Sequence, residues 1–208
     1  MENTWELFQK GGPVMYVLLA CSIAVAVIAI ERFRFYRQAG RGASDFVAKL
    51  PIFLKEHDLK QAAELCQTEN TAPAYIAEIG VRAAAAGDDL TLALDTAYAD
   101  MAMRLRERLN YLSMIVTMAP LLGLLGTISG MIESFSIFSV RAGEPLAITG
   151  GIGEALIATA TGLCVAIFSL IVHTYFVQKL DEMLAMLDKA AAAVRNALKK
   201  TGEDGHAA

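Results

Sequence analysis

Charge is scarce in this sequence: 19% of its 208 residues are charged, 55% are hydrophobic, and the mean hydropathy is +0.45. A composition this apolar excludes an ordinary soluble domain and a disordered chain alike, and it fits a membrane protein. No nucleic-acid footprint is present, so no nucleic-acid partner is expected. Cysteine is sparse too. Cys21, Cys66 and Cys164 lie far apart and show no metal-ligand spacing, which makes them small apolar residues and excludes a disulfide framework. No metal, cofactor or catalytic residue is expected, and the chain is not read as an enzyme. No alternating pattern marks a strand.

What the chain does have is long uncharged runs. A hydrocarbon core about 30 Å thick needs about 20 apolar residues at roughly 1.5 Å each. Three runs qualify: Gly11 to Ile30, Leu109 to Ile132, and Ala155 to Leu180. The third contains His173 at depth and reaches Lys179 only in its last turn. The first is not a signal peptide, because only Lys10 precedes it while Arg32, Arg34, Arg37 and Arg41 follow.

Those arginines orient the chain. Arg104, Arg106 and Arg108 precede the second run, and Lys179, Lys189, Arg195, Lys199 and Lys200 follow the third. Only Lys10 and Arg141 flank the other side. The expected order is a short periplasmic amphipathic segment (1–12), span one (13–36), a cytoplasmic helical loop (37–108), span two (109–138), a periplasmic loop (139–151), span three (152–178) and a cytoplasmic helix and tail (179–208). The fold class is therefore an all-α membrane protein with three transmembrane helices, the second and third extending as long helices into the cytoplasm.

Within the loop, "SDFVAKLPIFLKEH", "DLKQAAELCQTEN" and "APAYIAEIGVRAAAA" each begin like a helix. Asp88 or Asp89 can cap the next one, whose Leu90, Leu94, Ala97, Met101, Leu105 and Leu109 recur at helical spacing. With no breaker before Pro120, one helix is expected from about residue 89 to 138. Beyond span three, Leu180, Leu184, Leu187, Ala191 and Val194 form a second stripe. A single copy has too little other protein to cover both stripes, which predicts a homo-oligomer.

The second run carries a peculiar stretch, "APLLGLLGTISGMI". On a helix Gly123, Thr127, Gly130 and Ser134 share one narrow face of small residues, and Gly126 with Gly130 adds a GxxxG. Such a face lets backbones approach closely, here read mainly as packing between subunits. The Thr127 hydroxyl can also bond the carbonyl of Gly123 in its own helix. In the third run Ala155, Thr159, Gly162, Ala166 and Ser169 form a matching face. In an oligomer Thr127 and Thr159 would form two hydroxyl rings at similar depth, able to line a polar path or bond an inserted partner helix.

Charged groups near the membrane are few. Glu154 opens the third span, either favouring a helix N-terminus or forming a carboxylate ring at an outer entrance. Glu133 is a boundary residue. His173 returns to within about 40° of the Thr159 face and is a possible secondary relay, or else a residue bonding headgroups or a neighbouring helix. No Asp, Glu or Lys occupies the middle of any span, so a central carboxylate would have to come from another chain.

At this point the residues resemble a family. "APLLGLLGTISGMIESF" and "IGEALIATATGLCVAI", with "ERFRFYR" ending span one and "GGPVM" opening it, resemble the ExbB/TolQ/MotA proton-channel proteins, and "GTISGMIESF" is most like ExbB. The resemblance implies a pentamer in the bacterial inner membrane, N-terminus periplasmic and C-terminus cytoplasmic. Its second and third spans would surround a dimer of single-span ExbD/TolR-type partners that carry the missing aspartate. It implies proton-pathway roles for Thr127, Thr159 and Glu154, pore-face packing by Gly123, Gly130, Gly162 and Ala166, and coupling of proton flow to TonB-type energy transduction within membrane lipid. Phe168 and Thr174 stand where members commonly have proline and asparagine. A TolQ-like role in envelope integrity is the nearest alternative. A passive scaffold would need only the packing glycines, and a rhomboid-like protease built on Ser129 and His173 would need about six spans to shelter its water, where this chain has three.

Overall fold

The computed structural model describes residues 11–56, 64, 66–69, 71–140 and 145–204, with backbone only at 55–56, 137–140, 145–151, 154 and 199–204. The expected N-terminal segment falls almost wholly outside these residues, as does most of the helix expected over 58–70. All regular structure among the described residues is helical. The helices are α1 (Val14–Gly40), α2 (Ala43–Glu56), α3 (Ala72–Ala86), α4 (Leu90–Arg106), α5 (Leu109–Val140) and α6 (Pro145–Asp204). Three stretches are long and apolar enough to cross a membrane, one each in α1, α5 and α6. Helix α6 begins at Pro145, inside the segment expected as a loop over 139–151. Proline suits a first helical turn because its φ is already helical and no N–H is needed there.

The chain divides into two compact units. One combines the first span up to Ile30 with Arg108–Phe176, and the other combines Glu31–Glu107 with the chain from Val177.

The second unit is built on well-marked helix ends. Thr71 caps α3, its Oγ1 accepting from the Ala74 N–H at 3.3 Å, with a proline in the first turn. Gly87 ends it in the left-handed region at φ 77, and the N–H groups of Gly87 and Asp88 close onto the last carbonyls. Of the two candidate caps for α4, Asp89 serves: its Oδ1 accepts from Thr91 at 2.9 Å and Leu92 at 3.2 Å. Gly80 brings α3 close to its neighbours, since a Cβ there would lie 2.7 Å from Leu94 Cδ2 and 2.8 Å from Val194 Cγ1.

Burial follows the α4 stripe: Leu94, Ala97, Met101 and Leu105 are buried, and Leu90 is half-buried. On α6 the buried row is Leu180, Met183, Leu187, Ala190 and Val194, while Leu184 and Ala191 are half-buried. One chain therefore buries most of both stripes, so the stripes by themselves do not call for other copies, while Leu90, Leu184 and Ala191 stay partly open. Helices from four parts of the sequence converge here: Met183 packs beside Gly40, the Tyr98 phenol bonds Asp188, and Arg195 Nη2 meets Asp95 Oδ1 at 3.3 Å. Burial, and then Asp188, pushes the Tyr98 phenol up.

The single helix expected from 89 to 138 is also corrected. Helix α4 stops at Arg106, Glu107 leaves helical geometry at ψ 137, and Arg108 takes φ 66. A left-handed arginine is costly, and a helix end leaves carbonyls without partners. Here α1 supplies them. Arg32, only 3% exposed, donates from Nη1 to the Arg104 carbonyl at 3.0 Å, and Tyr36 Oη donates to the Leu105 carbonyl at 2.7 Å. Glu107 N–H closes onto Met103, and Arg32 Nη2 also faces Glu31 and Glu107.

Tyr36→Phe removes one of these buried bonds and is expected to cost about 1 kcal/mol in detergent-micelle unfolding. A pH effect arises at Cys66, whose thiol burial and Glu78 push up to about 11. A raised thiol contributes stability that is complete below its ordinary value near 9 and is lost as pH rises through about 11. Alkaline unfolding curves should show this loss, and Cys66→Ala should reduce it.

Candidate functional site

In the first unit, α5 and α6 meet where both lack side chains. A Cβ on Gly162 would lie 2.6 Å from the Ala119 carbonyl oxygen and 3.0 Å from Gly123 Cα. A Cβ on Gly123 would lie 3.0 Å from both the Ala158 carbonyl oxygen and Thr159 Cα. The contact continues antiparallel along both helices. Gly126 faces Ala158 and Gly130 faces Ala155, where added Cβ atoms would come within 2.5 Å and 3.0 Å of the alanine methyls. Val14 of α1 lies against the Gly126 position.

The glycines read as packing between subunits are thus filled within one chain. On α5 the contact face is Ala119, Gly123, Gly126 and Gly130, with half-buried Thr127 on its flank. On α6, Ala155, Ala158, Gly162, Ala166 and Ser169 are buried, and Thr159 is half-buried.

The two threonines behave differently. Thr127 Oγ1 donates to Leu124 at 2.7 Å in its own helix, not to Gly123. The Gly123 carbonyl accepts from Thr159 Oγ1 at 2.9 Å, across the helix contact. Ser134, Ser169, Thr161 and Ser129 all return to their own helices. Thr159 is level with Gly123, and Thr127 lies one turn, about 6 Å, further along α5. Each hydroxyl donates its proton to a fixed carbonyl, which leaves oxygen lone pairs able to accept from water or from a protonated acid. His173 is half-buried on α6, and Glu133 is exposed. The side chain of Glu154 lies outside the described residues.

The outer surface of the contact is apolar: Leu121 and Ile132 are each 65% exposed, and Leu124, Leu125, Ile128 and Phe135 are exposed with them. Surface of that kind is stable only against lipid tails or other protein. The sequence pattern marked the small-residue faces and Thr159 within one of them, but not the Gly123 carbonyl that Thr159 bonds. The spacing of a hydroxyl from a carbonyl on another helix leaves no periodic trace.

A closely locked pair of uncharged spans in a three-span chain defines a polytopic membrane protein with a hydroxyl-bearing core. The model of the MotA/TolQ/ExbB proton channel family matches residues 67–189, which include all of α5 and the contacting part of α6. ExbB-like protein 1 of Synechocystis is 33% identical over 190 residues, covering 86% of this chain and 74% of the relative. An ExbB homolog of Methanothermobacter thermautotrophicus is 28% identical over 188 residues, 88% of this chain and 66% of its own. The biopolymer transport protein exbB1 of Vibrio cholerae is 29% identical over 178 residues, 80% and 76% of the two chains. The chain belongs to the MotA/TolQ/ExbB proton channel family and is ExbB-like, and these relatives carry the name of biopolymer transport proteins.

Gly162→Ala forces a Cβ against backbone, where nothing flexible can yield, and is expected to destabilise the helix pair by about 1–3 kcal/mol. Gly153→Ala meets nothing within 4 Å and should change unfolding little. Comparing the two in micelles checks the contact directly.

Proposed function

We propose that this chain is the ring-forming subunit of a proton-driven inner-membrane motor, coupling proton flow to TonB-dependent transport across an outer membrane. The observation that carries the reading is a pair of tightly locked spans whose membrane-depth portions hold hydroxyls but no Asp, Glu, Lys or Arg. A proton cannot cross hydrocarbon without a titratable carrier. Membership of the family points to that carrier as a carboxylate on a second chain of one span, the ExbD-type partner, held as a dimer on the axis of a pentamer. The exposed apolar face of α5 is available to the subunit ring and its lipid.

In this mechanism Thr127 and Thr159 accept hydrogen bonds from the protonated partner carboxyl through lone pairs that their backbone bonds leave open. Neutralising the partner carboxylate removes the penalty for moving it past apolar side chains, and ionisation restores that penalty. The alternation drives ring and axial dimer relative to one another. Glu154 would concentrate protons at the outer entrance, and His173 would relay them on the inner side. The excess of Arg and Lys beside the spans supports a periplasmic N-terminus and a cytoplasmic C-terminus.

The test is co-expression with the single-span partner, purification of the complex and proton flux in liposomes. Thr159→Ser should retain flux, Thr159→Val should lose most of it, and Ser129→Ala should conduct like wild type. Equal flux from wild type and Thr159→Val in a complex that still assembles would sink the pathway.

A further inference from the structure

Immediately beyond the first span, the second unit contains a cleft of about 440 Å³ lined by Arg34, Arg37, Gln38, Arg41, Glu69 and Thr71. Arg34, Arg37 and Arg41 recur at offsets of three and four, so one face of the α1 terminus carries all three. All are exposed, and none forms an ion pair among the described residues. In the same unit Arg82 pairs with Glu78, Arg104 with Asp100 and Arg195 with Asp95, while Arg106 has no ion pair among the described residues. Thr71 caps α3, so the positive end of a 15-residue helix adds to the same field. Glu69 is the one carboxylate in the lining.

Position along α1 narrows the ligand. Ile30 ends the uncharged run, and at about 1.5 Å per residue Arg34 lies roughly 6 Å, Arg37 roughly 10 Å and Arg41 roughly 16 Å beyond it. The headgroup layer occupies about 5–8 Å outside each face of the hydrocarbon. A second cleft of about 270 Å³ shares Gln38 and Thr71 with the first and is otherwise lined by Phe35, Ala39, Ala72, Tyr75 and Met101, with Arg104, which pairs with Asp100, as its one charged group. A basic cleft that begins at headgroup depth with Arg34 and adjoins a more apolar one fits an amphiphile with a phosphate at one end.

We infer that the Arg34, Arg37 and Arg41 cleft binds the phosphate of an anionic phospholipid, with the glycerol and upper acyl region entering the adjoining apolar cleft. The guanidinium fork matches two phosphate oxygens, which an ammonium could not do as well. Three positive charges against one negative favour an anionic phosphate group that brings no cation of its own. Zwitterionic headgroups are disfavoured by their quaternary or primary amine.

The full chain in micelles is titrated with phosphatidylglycerol, phosphatidylcholine and soluble glycerol 3-phosphate, and bound lipid is counted by native mass spectrometry. Phosphatidylglycerol should bind in preference to phosphatidylcholine and lose affinity with added salt. Near an anionic headgroup each arginine is worth about fivefold, so R34Q/R37Q/R41Q should lose roughly 100-fold. Arg82→Gln, on an arginine outside the cleft, should bind as wild type does. Glu69→Gln removes the opposing charge and should tighten phosphatidylglycerol by about threefold, a gain that misfolding could not produce. Equal binding of the two lipids, no tightening in Glu69→Gln, or unchanged binding by the triple variant would overturn the assignment. Glycerol 3-phosphate binding as tightly as the lipid would overturn the lipid as the source of the phosphate.

Discussion

The contact between Gly123 and Gly162 sets the rest of the membrane unit. Lipid tails are as apolar as leucine, so two spans gain little from burying leucines against one another. What they can gain is dispersion over a closely matched surface and a hydrogen bond across it, and both require backbones to approach. A Cβ on Gly162 would stand 2.6 Å from a carbonyl oxygen, so the approach exists only because no Cβ is there. That approach brings Thr159 within 2.9 Å of the Gly123 carbonyl. It also fixes which side of each helix is consumed by the contact and which apolar surface is left for other partners.

Outside the spans the governing physics changes. Water is available, and the alanine-rich and leucine-rich faces of α3, α4 and the distal part of α6 are buried by the ordinary hydrophobic effect. Backbone ends become the weak points. The interruption after Arg106 shows how one is managed: two carbonyls freed by the break accept from Arg32 and Tyr36 of α1. A buried arginine is acceptable there because its two terminal nitrogens meet a carbonyl and two carboxylates, with the Phe35 ring 5.0 Å away, although its buried Nε has no partner. The same helix thus leaves the membrane with an arginine held inward and three others presented outward.

Much of the architecture was legible without coordinates. Three uncharged runs became three long apolar helices, because the thickness of a bilayer leaves few other uses for such runs. Asp89, Thr71 and Gly87 act where capping chemistry places them, since those effects are local to a few residues. The small-residue faces were legible in the same way, through helical periodicity. Their partners were not, and packing assigned to neighbouring subunits is met inside one chain. The candidate site was readable as two threonines among small residues, but the difference between them was not. Which carbonyl a hydroxyl reaches depends on the offset between two helices that the sequence does not encode locally.

The break at Glu107 and Arg108 marks the boundary between the two kinds of information. No glycine or proline announces it, and the helical pattern runs through it unaltered. It becomes stable because Arg32 and Tyr36, about 70 positions earlier in the chain, supply the donors that the broken helix lacks. By itself the sequence determined the number of spans, their helical character, the local caps and the absence of Asp, Glu, Lys and Arg at mid-membrane. The tertiary structure alone decided where the long helix breaks, that glycine meets glycine within one chain, that Thr159 bonds across the contact, and that three arginines share one cleft. Those outcomes are contacts between distant residues, and a contact has no existence until both helices are in place.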